Sequence, residues 1–157
     1  MHIIIFFILL LMNVVYSENI ELISPIFGQN SFKNTIINYI TDSNSSVKAT
    51  IYKLDDDEIL QSFQNAGERG IVFDLICDTD IYKKCLTFNT YGTIKQFSMK
   101  SYTKLHAKSL LIDNSILILG SFNMDKSAFT NNMELGVIIK DKDIINNYNN
   151  FIQKVKE

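Results

Sequence analysis

The chain has 157 residues, with 15 basic and 17 acidic side chains, a net charge of −2 and a pI of about 5.7. That balance excludes a surface built to coat nucleic acid over its whole extent. At 46% hydrophobic and 20% charged, the chain is also excluded from the disordered class, and its length fits one domain with a real core.

Residues 3–12 are apolar and uncharged, a run too short to span a bilayer comfortably. Val15 and Ser17 are small, which sets a cleavage site before Glu18, so residues 1–17 read as a secretory signal peptide. An uncleaved N-terminal membrane anchor is the alternative. The first reading puts residues 18–157 in a secreted or periplasmic setting, as a single domain.

Residues 18–23 have strand character and stop at Pro25. Asn30 or Ser31 can cap a helix that carries Phe32, Ile36, Tyr39 and Ile40 on one side and ends near Asp42. Residues 47–54 alternate as a strand. The acid run 55–58 opens a helix whose positive N-terminal end it suits, with Ile59, Leu60, Phe63 and Ala66 on one face and Gly67 at its end. Capping explains this run better than metal binding, because no metal-loop spacing is present. Residues 71–77 form a buried strand, 81–88 a short helix, 91–92 a turn and 93–97 a strand.

A polar loop, 98–103, leads to two strands, 105–113 and 116–121, joined tightly at Asn114-Ser115. Residues 125–129 make a helical turn and 134–140 a strand. Asp143 caps a last helix with Ile144, Ile145, Tyr148, Phe151, Ile152 and Val155 at helical spacing. The order β-α-β-α-β-α-β-β-β-α-β-α predicts a mixed sheet flanked by helices in one α/β domain.

Cys77 and Cys85 lie eight apart. An exported chain permits a disulfide between them, and two buried thiols are the other reading. Without further ligands nearby they make a poor zinc site.

Charge is unevenly spread. Between Asp80 and Asp113 there is no acidic residue but there are six lysines: Lys83, Lys84, Lys95, Lys100, Lys104 and Lys108. This stretch is either a local positive field that draws a polyanion toward His106 or a set of solvated lysines.

The chemistry concentrates at His106, Lys108, Asp113, Ser121, Asn123 and Glu134. In a strand, residues two apart face the same side, so His106 and Lys108 project together while Ala107 and Ser109 point away. An imidazole can attack phosphorus and form a phosphohistidine, and an ammonium neutralises the phosphate oxygens. Ser121 and Asn123 also fall two apart and can reach the same anion. Glu134 can hold an imidazole N–H and fix its orientation. Asp113 sits at a strand end, where a turn hydrogen bond competes with chemistry.

His106-Ala107-Lys108 with Asp113, followed by Gly120-Ser121-Phe122-Asn123, resembles the HKD signature of the phospholipase D superfamily. It is most similar to the small single-motif members, the Nuc-like endonucleases and the mitochondrial cardiolipin hydrolase (Zucchini) type. The resemblance implies that His106 is the nucleophile, that Lys108 and Asn123 grip the phosphate with help from Ser121, and that Glu134 orients a histidine. It makes Asp113, the fourth member of the candidate catalytic set, more structural than catalytic. It implies no metal and no cofactor, and a homodimer with a composite active site, because the chemistry needs two motifs. No zinc-ligand cluster of the Zucchini kind is seen near the N-terminus. The implied activity is metal-independent cleavage of phosphodiesters, with DNA or RNA favoured, phospholipid as the alternative substrate, and a non-catalytic phosphate-binding dimer as the alternative class.

Overall fold

The computed structural model describes residues 19–157, so the signal-like segment lies outside the described residues. Seven strands form one mixed sheet: β1 (Ile20–Ile23), β2 (Ser46–Ile51), β3 (Val72–Cys77), β4 (Gly92–Gln96), β5 (Ser109–Ile112), β6 (Ile116–Gly120) and β7 (Gly136–Ile139). Their spatial order is β1-β7-β6-β5-β2-β3-β4. The β2-β3-β4 side is parallel, and every other pairing is antiparallel. Among the described residues, five α-helices connect or cover them: α1 (Gln29–Thr41), α2 (Asp57–Glu68), α3 (Tyr82–Cys85), α4 (Lys126–Thr130) and α5 (Lys142–Lys156). The predicted α/β class and the order of elements hold.

The period-2 alternation of the strands builds two cores. Val47, Ala49 and Ile51 of β2, Phe73 and Leu75 of β3, and Leu110 and Ile112 of β5 pack with Phe32, Ile36 and Ile40 of α1 and Ile59 and Phe63 of α2. On the other face Ile76, Leu111, Leu117 and Ile139 meet Ile145, Tyr148, Ile152 and Val155 of α5. All four residues of β5 are buried, as a strand covered on both faces must be.

Several boundaries differ from the sequence expectation for local reasons. The first helix starts after Gly28, whose φ of +131° turns the chain without a side-chain cap, so neither Asn30 nor Ser31 is its cap. Asp56 caps α2 by accepting from the N–H groups of Glu58 and Ile59. Gly67 does not end that helix; it lies inside it, where a Cβ would meet the Tyr91 ring at 2.3 Å. The last helix is capped by Asp141 rather than Asp143, with Asp141 Oδ1 accepting from the Asp143 and Ile144 N–H groups at 3.0 Å each. The strand expected over 105–113 spans only Ser109–Ile112, and residues 105–108 lie ahead of it outside the strand. Cys77 and Cys85 are joined in a disulfide, which ties the end of β3 to α3.

The β5–β6 turn centres on Asp113 and Asn114, both at φ +52°, rather than on Asn114-Ser115. Asp and Asn tolerate this left-handed region better than other side chains. Asp113 then turns back onto the start of β2. Its Oδ1 accepts from the N–H groups of Ser45 and Ser46 at 2.8 and 2.9 Å, and its Oδ2 from that of Asn44 at 2.9 Å. Partial burial pushes the carboxyl up, but these backbone donors prevail and hold it below the ordinary 3.8.

A group held below its unfolded pKa stabilises the fold above that value and loses the contribution as pH falls through the folded one. Asp113→Asn should therefore lower unfolding free energy by about 1 kcal/mol at neutral pH, a figure discounted for the solvent around the site. In urea titrations the gap from wild type should shrink as pH falls below 3.8. A gap constant down to pH 2 would contradict this.

Candidate active site

Pairing alone brings the candidate residues to one end of the sheet. Thr50 at the end of β2 stands opposite Ser109 at the start of β5, Ser109 opposite Leu119 near the end of β6, and Gly120 opposite Gly136 at the start of β7. The segments just beyond these pairs are 51–55, 105–108, 121–125 and 132–135. They hold His106, Lys108, Ser121, Asn123 and Glu134. Asp113 lies at the other end of β5, bound to backbone as described, so it is a structural tie and no part of this cluster.

His106 is exposed and Lys108 half-buried. Lys108 Nζ donates to the His106 carbonyl oxygen at 2.7 Å and lies 3.0 Å from Nδ1 and 3.3 Å from Nε2 of the same imidazole. The two side chains thus share one face, as their spacing requires. Burial draws the Lys108 ammonium below the ordinary lysine value; Glu134 and Asp125 oppose this and Lys53 adds to it. An ammonium in that setting is short of counter-charge and suited to an anion.

Ser109 faces the other way and locks the strand. Its Oγ lies 2.6 Å from Thr50 Oγ1 on β2 and 2.6 Å from the Tyr148 hydroxyl on α5, a chain buried throughout. Burial pushes the Tyr148 phenol well up, so it stays protonated. On the near side, Asp78 is buried after β3 and its Oδ2 accepts the Leu105 N–H at 2.8 Å. The backbone on both sides of the His106–Lys108 pair is therefore held by buried hydrogen bonds.

Glu134 is buried and binds Ser121 Oγ through Oε2 and Asn132 Nδ2 through Oε1 at 3.1 Å. Among the described residues no hydrogen bond joins Glu134 to His106. The expected orientation of the imidazole by this carboxylate is thus not made within one chain; the carboxylate fixes Ser121 instead. Asn123 Oδ1 is buried and has no hydrogen-bond partner among the described residues. The part of the Asn123 amide that can donate to a phosphate is Nδ2, as an amide N–H donates and its oxygen accepts. Its neighbour Met124 anchors the β2–α2 loop, accepting the Asp55 and Asp56 N–H groups at 3.0 and 3.2 Å.

The six-lysine stretch does not form one field. Lys83 and Lys84 ride on α3, and Lys95 on β4 donates to the Lys156 carbonyl of α5. Of the six, Lys104 and Lys108 meet at the site, both over the ring of Tyr52. Sequence reasoning missed Tyr52, Asp78, Thr50 and Tyr148. Their roles arise from pairings between distant segments, and only the alternation that turned Ser109 away from His106 pointed toward the buried chain. A cavity of about 330 Å3 opens beside His106, lined by Phe97, Met99, Tyr102, Leu105 and Phe151. Among the described residues, no three His, Cys, Asp or Glu side chains gather as a metal-ligating group.

Comparison with known proteins bears on the family and the fold. A family model described as cardiolipin synthase, PLD-like domain, matches residues 36–156. Cardiolipin synthase A of Buchnera aphidicola subsp. Schizaphis graminum is 25% identical over 126 residues, 75% of this chain but 26% of that protein. Cardiolipin synthase 1 of Staphylococcus epidermidis is 29% identical over 100 residues, 59% of this chain and 20% of its own length. The chain thus spans about a quarter or less of these curated relatives. Among solved structures, NucT from Helicobacter pylori superposes with a TM-score of 0.74 at 25% identity, covering 87% of this chain and 94% of that one. Nuc, a phospholipase D family member from Salmonella typhimurium, gives 0.73 at 19% identity, covering 87% and 92%, and shows the shared fold.

Removing the Asp78 carboxylate leaves the Leu105 N–H buried and unmatched. Asp78→Ala is predicted to lower unfolding free energy by about 1–3 kcal/mol in denaturant titrations. Asp78→Asn, which keeps an acceptor, should recover most of it. Equal loss in the two variants would contradict the assignment.

Proposed function

From the premise that the chain belongs to the phospholipase D-like family, we propose that it is a metal-independent phosphodiesterase. Its favoured activity is endonucleolytic cleavage of DNA or RNA without sequence preference. The observation that carries this is the approach of the Lys108 ammonium to within 3.0 Å of the His106 imidazole, beside Ser121, Asn123 and Glu134 at one sheet end. In the reaction an imidazole nitrogen of His106 forms a bond to phosphorus. The bond from phosphorus to the leaving oxygen breaks, and that oxygen takes up a proton. Lys108 and the Asn123 amide balance the charge on the non-bridging oxygens. Water then attacks the phosphohistidine, releases the phosphate monoester and frees the imidazole.

The leaving oxygen needs an acid, and the chain has only one other histidine, His2, in the signal-like segment. A second His106 is available from a second copy, which supports a homodimer with a composite site. The resemblance of the His106–Asn123 motif to Nuc-like endonucleases, with 94% of the NucT chain covered by this one, supports the nuclease reading. The Cys77–Cys85 disulfide supports an oxidising, extracytoplasmic location, in line with a signal peptide over residues 1–17. Two observations favour phospholipid as the second substrate reading: the family model and its cardiolipin synthase relatives, and the apolar cavity beside His106.

Wild-type protein in excess EDTA should cleave plasmid DNA or RNA, with rates that fall as salt rises. His106→Ala should lose at least about 1,000-fold in activity. Turnover of cardiolipin vesicles alone would select the phospholipid reading. Nucleic-acid binding without turnover, unaffected by His106→Ala, would select a non-catalytic module.

A further inference from the structure

Tyr52 directly follows β2, and its ring touches three groups of the active site. Its centroid lies 4.5 Å from that of the His106 imidazole, at an interplanar angle of 55°. Lys108 Nζ stands 4.9 Å from the same centroid. Lys104 Nζ stands 5.5 Å from it and 3.5 Å from the Tyr52 hydroxyl, and also reaches Asp80 at 3.4 Å.

We infer that Tyr52 is a positioning residue: its ring sets the imidazole of His106 and the ammonium of Lys108 against each other in the geometry the reaction uses. This inference rests on the reading of His106 as the nucleophile. The physical need is specific. A lysine side chain is flexible, and among the described residues no carboxylate is in hydrogen-bond contact with the Lys108 ammonium, which bonds to His106 instead. The electron-rich face of an aromatic ring attracts an ammonium without neutralising it. A carboxylate in the same place would hold Lys108 as firmly, but would repel the anionic substrate. The same ring packs against the imidazole and limits its rotation, so one side chain restrains nucleophile and phosphate ligand together. The hydroxyl serves a separate contact, with Lys104, at the edge of the site.

Tyr52 is only half-buried, at the sheet end rather than in either core, so its replacement opens no internal cavity. The ring, not the hydroxyl, carries the effect on His106 and Lys108. Tyr52→Phe should therefore preserve function at the nucleophile, and Tyr52→Leu should lose it.

The test compares wild type, Tyr52→Phe and Tyr52→Leu on bis(p-nitrophenyl) phosphate in EDTA, a small diester whose leaving group needs no acid, so the rate reports on the nucleophile and its phosphate ligands. Tyr52→Leu should lower kcat about tenfold or more with little change in KM, and Tyr52→Phe should restore kcat to within about twofold. A Tyr52→Leu protein with unchanged melting temperature and wild-type kcat would overturn the inference. In parallel, the ring-current shift of the His106 imidazole protons is read by NMR, assigned with His106→Ala. It should persist in Tyr52→Phe and collapse in Tyr52→Leu. A shift unchanged in Tyr52→Leu would also overturn the inference. Absence of turnover by wild type would instead remove the reaction itself, and the NMR arm would then decide the placement of Tyr52 separately.

Discussion

The register of β5 is the constraint on which the site depends. Ser109 sits opposite Thr50 on one side and Leu119 on the other. A slip of one residue would turn His106 and Lys108 toward α5 and drive Ala107 and Ser109 to the reactive face. Three features resist the slip. Ser109 is hydrogen-bonded within a buried chain to Thr50 and Tyr148. The turn at the other end of β5 is fixed by the left-handed Asp113 and Asn114 and by the hold of Asp113 on the start of β2. Leu110 and Leu111 are each fully buried, on opposite faces. Exchanging their environments would disturb both cores.

The same logic explains why five chemistry-bearing residues, spread over nearly thirty positions, meet in space. The antiparallel meander β5-β6-β7 places the beginning of one strand, the end of the next and the beginning of the third along one edge. The parallel β2 and β3 add their C-terminal ends to it and bring Tyr52 and Asp78. Topology gathers the groups, and buried polar contacts around them provide the accuracy. The reactive groups bond mainly to one another, Lys108 to His106 and Ser121 to Glu134, while His106 is exposed to solvent. That division suits a site whose inner partners belong to the substrate.

Much of this was legible in the sequence, and what escaped did so for identifiable reasons. The element order followed from periodicity, and the facing of His106 with Lys108 from their two-residue spacing. The 105–113 strand was begun too early because residues 105–108 lie ahead of the ladder, which starts at Ser109, and alternation cannot reveal where pairing begins. Asp143 was mistaken for a cap because Asp141, two residues earlier, is equally suited by type, and only geometry separates them. Gly67 looked like a helix end because a glycine there is normally a stop; its small size instead admits the Tyr91 ring. The bond from Glu134 to Ser121, and the contact of Tyr52 with His106 across more than fifty residues, need the folded sheet to be seen.

The account stands on His106 acting as a nucleophile rather than as a proton carrier or a phosphate contact. The direct measurement is rapid acid-free quenching during turnover of a diester substrate, followed by intact-mass and peptide analysis. The account predicts a phosphoryl adduct on His106 that is stable in base, labile in acid and absent from His106→Ala. Sustained turnover with no adduct, or an adduct on another side chain, would contradict it.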